Sequence, residues 1–180
     1  LELDILTGLR LTRALAAFGT GACLALAGVL MQVLLRNPLA DPYLLGTSGG
    51  AAVGALLVLA AGGTGWLVDG SAFAGALAST LLVFALSGGS GAWGSNRLLL
   101  TGVVVAAGWG AAVSLILALT PDASLRGILF WLMGDFSFAE RPLPTLFTAG
   151  LGAVASLLLA RTLDVLATGD NQATLLGVEV

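Results

Sequence analysis

The 180-residue chain is 58% hydrophobic and 9% charged, with a formal charge of −3 and a mean hydropathy of +1.03, which leaves too little polar surface to cover a soluble core. Composition therefore predicts an all-α polytopic membrane protein, since a lipid-facing backbone must satisfy its own hydrogen bonds and the long unalternated apolar runs select helices over a barrel. The chain holds neither histidine nor lysine, which removes the proton-shuttling imidazole, the Schiff-base amine and the phosphate-binding lysine of a Walker loop.

In chain order, no methionine, basic segment or small-residue cleavage site precedes the first apolar run, so no signal peptide is read and the chain is expected to be clipped at both ends. The first span is expected over 14–35. Its lone Cys23 offers no disulfide or multi-cysteine metal site and reads as a small packing residue. Arg36-Asn37-Pro38-Leu39-Ala40-Asp41-Pro42 then stops the helix, because two prolines four positions apart cannot continue it. A second span is expected over 43–59, with an extension toward 68. A third, over 71–87, is the weakest, at the short end of the spanning range, with Asp69-Gly70 and Gly88-Gly89-Ser90-Gly91 read as its flanking turns. The fourth covers 98–120. Residues 125–134 are too few to cross, and their apolar positions at helical spacing with Phe130 and Trp131 predict a helix near the membrane surface. The fifth span covers 143–160. Five alternating spans put Arg36, Arg97 and Arg161 on one side and Arg10, Arg13, Arg126 and Arg141 on the other, so charge does not set the orientation. The ten acids and seven arginines are confined to a few segments between spans, so the net charge points to no partner; no nucleic-acid partner is expected.

Small residues recur every four positions at Gly46, Gly50 and Gly54, and again at Gly102, Ala106, Gly110 and Ser114. Both stripes predict faces where helix backbones approach closely, within one chain or between copies. Gly46-Thr47-Ser48-Gly49-Gly50 formally matches the nucleophile elbow of serine hydrolases, but without histidine or lysine no base can activate Ser48, and no catalytic residue is assigned. Asp122, Asp135 and Glu140 lie between spans near Pro121, Gly134 and Pro142 and read as solvated loop acids rather than an ion pathway. With no carboxylate relay inside the spans and no nucleotide site, a transporter of this kind would draw its energy from an ATPase partner; a passive channel would lack both features as well.

Several separated motifs together resemble the FecCD family, the permease subunits of ABC importers for iron-siderophores, haem and vitamin B12. They are Gly8-Leu9-Arg10-Leu11-Thr12-Arg13-Ala14-Leu15, with Thr12 where the family customarily has proline; Leu26-Ala27-Gly28-Val29-Leu30-Met31-Gln32; the Asn37-Pro38-Leu39-Ala40-Asp41-Pro42 turn; Arg97-Leu98-Leu99-Leu100-Thr101-Gly102; Leu125-Arg126-Gly127-Ile128-Leu129-Phe130-Trp131; and Leu163-Asp164-Val165-Leu166 onward. The resemblance implies a single partial permease domain over 1–180, a fragment of a ten-helix type II permease that lacks the first helix and everything beyond a cytoplasmic coupling segment at 163–180. It would lie as a multi-pass protein in the inner (plasma) membrane, with residues 125–134 on the periplasmic face.

The same resemblance implies roles for particular residues. Arg10 and Arg13 would dock acidic groups of a periplasmic or lipoprotein substrate-binding protein; Thr12 is expected to alter the start of the helix and not the charge pair. Asn37, Leu39, Ser95 and Asn96 would form a cytoplasmic gate, although Asn37 and Asn96 read equally well as capping or turn residues. Asp170, Ala173, Leu176 and Gly177 would contact the ABC ATPase subunits. A second permease copy or homologue would complete a dimer, no cofactor or metal is implied, and ATP hydrolysis would belong to the partners. The alternative is a truncated interaction module in the membrane that transports nothing.

Overall fold

The structure, a computed structural model, describes residues 5–88, 95–136, 139 and 141–167, with the side chains of Ser95 and Asn96 outside that description. Among the described residues every regular element is helical: a π turn at Ile5–Arg10, α1 Leu11–Leu35, a 3-10 turn at Pro42–Leu45, α2 Thr47–Ala60, α3 Trp66–Ser87, α4 Ser95–Leu119, α5 Asp122–Met133, α6 Leu143–Leu158 and α7 Ala160–Ala167. The stretch 5–35, α3 and residues 97–119 of α4 are long and apolar enough to cross a bilayer, and α6 with α7 would make a fourth span bent by 66°. The expectation was about five. The difference is α2, whose 14 residues extend only about 21 Å against a hydrocarbon layer of roughly 30 Å.

The chain divides into two compact units, one formed by residues 1–41 and 135–180, the other by 42–134. In the first, α1 packs on α6 and α7. Thr12 keeps the amide that proline would lack, and its Oγ1 donates to the Gly8 carbonyl at 3.0 Å. The helix therefore runs back through the π turn to Ile5 instead of beginning at the motif. A Cβ on Gly19 would meet Thr145 Oγ1 at 2.7 Å, and one on Gly152 would meet Leu26 Cδ1 at 3.3 Å. These contacts lie seven residues apart on both helices, so α1 and α6 run parallel. Cys23 has a packing role here, its Sγ lying 3.7 Å from the Thr145 carbonyl oxygen.

The second unit is built on the pairing of α2 with α3, and α4, α5 and the 3-10 turn pack around it. Asp69 and Gly70, expected to form a turn, lie inside α3. The reversal occurs earlier, where Gly62 (φ 80°) and Gly65 (φ 59°) adopt the positive φ that residues with a Cβ resist. Asp69 then sits in the first turn of α3, where the helix dipole favours an acid. Asp122, expected in a loop, likewise opens α5 as its first residue. Ile128 is the buried residue of α5, while Phe130 is 63% and Met133 80% exposed.

Candidate functional site

α1 ends in a Schellman motif. The Arg36 amide donates to the Val33 carbonyl at 3.2 Å and the Asn37 amide to the Gln32 carbonyl at 3.1 Å, closing two of the terminal carbonyls that a helix leaves open. Arg36 occupies the left-handed position (φ 48°, ψ 38°), the only non-glycine among the described residues with positive φ. Glycine is the usual occupant, and a Cβ there costs roughly 1–2 kcal/mol. Pro38 then prevents the helix from resuming.

The turn that follows is held by Asn37. Its Oδ1 accepts the Leu39 amide at 2.9 Å, and its carbonyl accepts the Ala40 amide at 2.9 Å. Asn37 thus shapes the turn, and Leu39, 87% exposed, is the apolar group that the turn presents outward. Of the four residues expected to form a gate, these two share one local structure. Ser95 and Asn96 open α4, with side chains outside the described residues.

Arg36 also reaches away from its own helix, its Nε donating to the Leu166 carbonyl oxygen at 3.0 Å. Leu166 lies in α7, so the guanidinium ties the end of α1 to that helix. The contact falls within the first unit and joins the turn to the first residues expected in the coupling segment. Asp170, Ala173, Leu176 and Gly177 lie outside the described residues. At the other end of α1, Arg10 closes the π turn and Arg13 stands three residues on, both exposed.

The second unit contains a buried polar node that the sequence reading missed. Ser79 is fully buried; its Oγ donates to the Leu45 carbonyl at 3.0 Å and accepts the Trp109 indole N–H at 2.8 Å. This joins α3, α4 and the end of the 3-10 turn next to Gly46, whose φ of 65° starts α2. The available signal was the spacing Ser71, Gly75, Ser79, a third four-residue stripe. It answers Gly54, Gly50 and Gly46 across the antiparallel pair, where a Cβ on Gly54 would strike the Ser71 carbonyl, one on Gly50 the Gly75 carbonyl, and one on Gly46 would meet Ser79 Oγ at 3.0 Å. Arg97 is a further residue without an expected role. Its Nη2 donates to the Leu86 carbonyl at 3.3 Å, capping the end of α3.

The description of the FecCD transport family matches residues 1–180. This chain belongs to the FecCD family. It is 40% identical to YvrB, an uncharacterised ABC transporter permease protein of Bacillus subtilis, over 98% of this chain and 52% of that protein. The same identity relates it to HmuU, the hemin transport system permease protein of Yersinia pestis, over 96% of this chain and 54% of the relative. A solved inward-facing ABC transporter assigned to the metal-chelate type superposes with a TM-score of 0.88 at 30% identity, covering 98% of this chain and 57% of that one. The chain spans about half the length of the curated relatives it matches. As a FecCD protein with several apolar helices, it is a multi-pass membrane protein.

Proposed function

We propose that the chain forms part of the permease subunit of an ABC importer that moves a metal chelate of the iron-siderophore, haem or cobalamin type across the inner membrane. The observation that carries this reading is similarity along nearly the whole chain to permeases named for hemin, cobalamin and ferric enterobactin, at 35–40% identity. The chain itself is not an enzyme. Separate ATPase subunits supply the energy, a substrate-binding protein delivers the cargo, and a second permease copy or homologue completes the pathway. Arg10 and Arg13 dock the binding protein, since two exposed guanidinium groups three residues apart suit carboxylate recognition and electrostatic steering. Leu39 closes the pathway at the cytoplasmic end from a turn that Asn37 keeps rigid, together with Ser95 and Asn96. The segment after α7, with Asp170, Ala173, Leu176 and Gly177, receives the ATPase.

The test uses the full-length permease, co-purified with its ATPase and reconstituted in liposomes. Adding the cargo-loaded binding protein is expected to raise ATP hydrolysis severalfold. An assembled complex that hydrolyses ATP at the same rate with and without that protein contradicts the reading.

A further inference from the structure

We infer that Arg36 is a positioning residue, a strut that makes the Asn37–Leu39 turn and α7 move as one piece. The inference rests on the permease reading for the meaning of that motion, but its geometry stands on three features of the first unit. Arg36 holds the left-handed position of a Schellman motif, where glycine would close the helix at lower cost. The side chain at this position makes a contact of its own, its Nε bonding the Leu166 carbonyl. That carbonyl lies in α7, which is described through Ala167.

The third feature is the bend. α7 leaves α6 at 66°, so beyond Leu159 it projects away from the α6 axis. The Arg36 guanidinium meets α7 at Leu166, seven residues past that bend. A push on α7 is then delivered to the backbone next to Asn37, and through the Asn37 Oδ1 bond to Leu39. The parallel course of α1 and α6 makes this contact possible, because it brings the carboxyl ends of both helices to the same side.

The experiment compares wild type, Arg36→Gly and Arg36→Lys in the full-length protein. Arg36→Gly relieves the left-handed backbone and removes the donor; Arg36→Lys keeps the cation without the guanidinium fork. Spin labels at Gln32→Cys and Thr162→Cys, in a Cys23→Ser background, report the distance between the end of α1 and α7 by pulsed EPR in nanodiscs. The distribution is expected to be narrow in wild type and broad in Arg36→Gly. In the assembled importer, cargo moved per ATP hydrolysed is expected to fall about fivefold in Arg36→Gly, with Arg36→Lys between the two. An unchanged distribution overturns the strut. A broadened distribution with an unchanged cargo-to-ATP ratio overturns its role in transport. Should Arg36→Gly fail to fold, Arg36→Lys carries the same two readouts. If the wild-type importer moves no chelate, the permease reading fails, and the EPR comparison still decides whether Arg36 holds α7.

Discussion

At Gly50 the Cβ of any other residue would strike the Gly75 carbonyl, and a Cβ on Gly75 would strike the Gly50 carbonyl in turn. Gly50→Val is therefore expected to force α2 and α3 apart at a cost of about 3 kcal/mol. At Gly110 a Cβ meets nothing within 4 Å, and Gly110→Ala should leave stability unchanged or slightly raised. Thermal unfolding of both variants in detergent checks the contrast; equal midpoints would remove the close approach from the account. The Gly46, Gly50, Gly54 stripe was legible in the sequence because four-residue spacing survives any choice of helix boundaries. Its partner stripe was not, because reading Asp69-Gly70 as a turn left Ser71 at a helix end instead of on a packed face. The second stripe that was read, Gly102 to Ser114, is engaged over its first half: Gly102 lies against the Leu44 carbonyl and Ala106 near Gly46, while Gly110 is exposed.

The Ser79 node makes a prediction of its own. Ser79→Ala strands the Trp109 indole N–H and removes a donor from the Leu45 carbonyl, and is expected to cost about 2 kcal/mol. Trp109→Phe leaves the Ser79 to Leu45 bond in place, so the loss of the indole hydrogen bond itself should cost only about 1 kcal/mol. Chemical denaturation of the two single variants and the double variant would give the coupling, and strictly additive losses would contradict a shared network. For the proposed docking pair, Arg10→Glu with Arg13→Glu is expected to lower binding-protein-stimulated ATP hydrolysis about tenfold while leaving co-purification with the ATPase intact, because like charges replace complementary ones. Undiminished stimulation would remove both arginines from the docking site.

Among the elements, α6 and α7 carry the clearest expectation. α6 is apolar, with Leu151 at 59% and Leu157 at 75% exposure, as suits lipid contact. α7 brings Arg161, Thr162 and Asp164 to an exposed face while Leu163, Val165 and Leu166 are half-buried, the pattern of a helix lying at an interface. A membrane-impermeant maleimide applied to the cytoplasmic side should label Thr162→Cys readily and Leu151→Cys hardly at all; equal labelling would contradict the division at Leu159. The expected fifth span over 143–160 runs across this break. Neither proline nor glycine stands at 158–160, so no local breaker announced it, and the change from apolar to amphipathic pattern was its one sequence mark. The start of α3 was obscured for a related reason: Gly62, Gly63, Gly65 and Gly70 all offer turns, and the backbone takes positive φ at Gly62 and Gly65 while Gly70 stays helical.

For the whole molecule, large apolar side chains lie open along α1, α3, α4 and α6, among them Phe18, Phe73, Val104 and Phe147, each at least 69% exposed. In α4 only 6% of the apolar window is buried. Such surfaces are stable in lipid or against further protein, which accounts for a chain with so few charged residues. The all-helical membrane class was legible from composition and run length, and the family from motifs that keep their order. The pairing of α1 with α6 and the Arg36 contact were not, because both depend on residues more than a hundred positions apart.

The central claim is that this chain belongs to a permease moving a metal chelate at the expense of ATP hydrolysed by partner subunits. The most direct measurement is uptake of radiolabelled ferric siderophore, haem or cobalamin into liposomes holding the full-length permease and its ATPase, with the matching binding protein outside. Accumulation of one of these chelates that requires both ATP and the binding protein is the predicted result. No accumulation of any of the three, or accumulation that proceeds equally without ATP, would contradict the account.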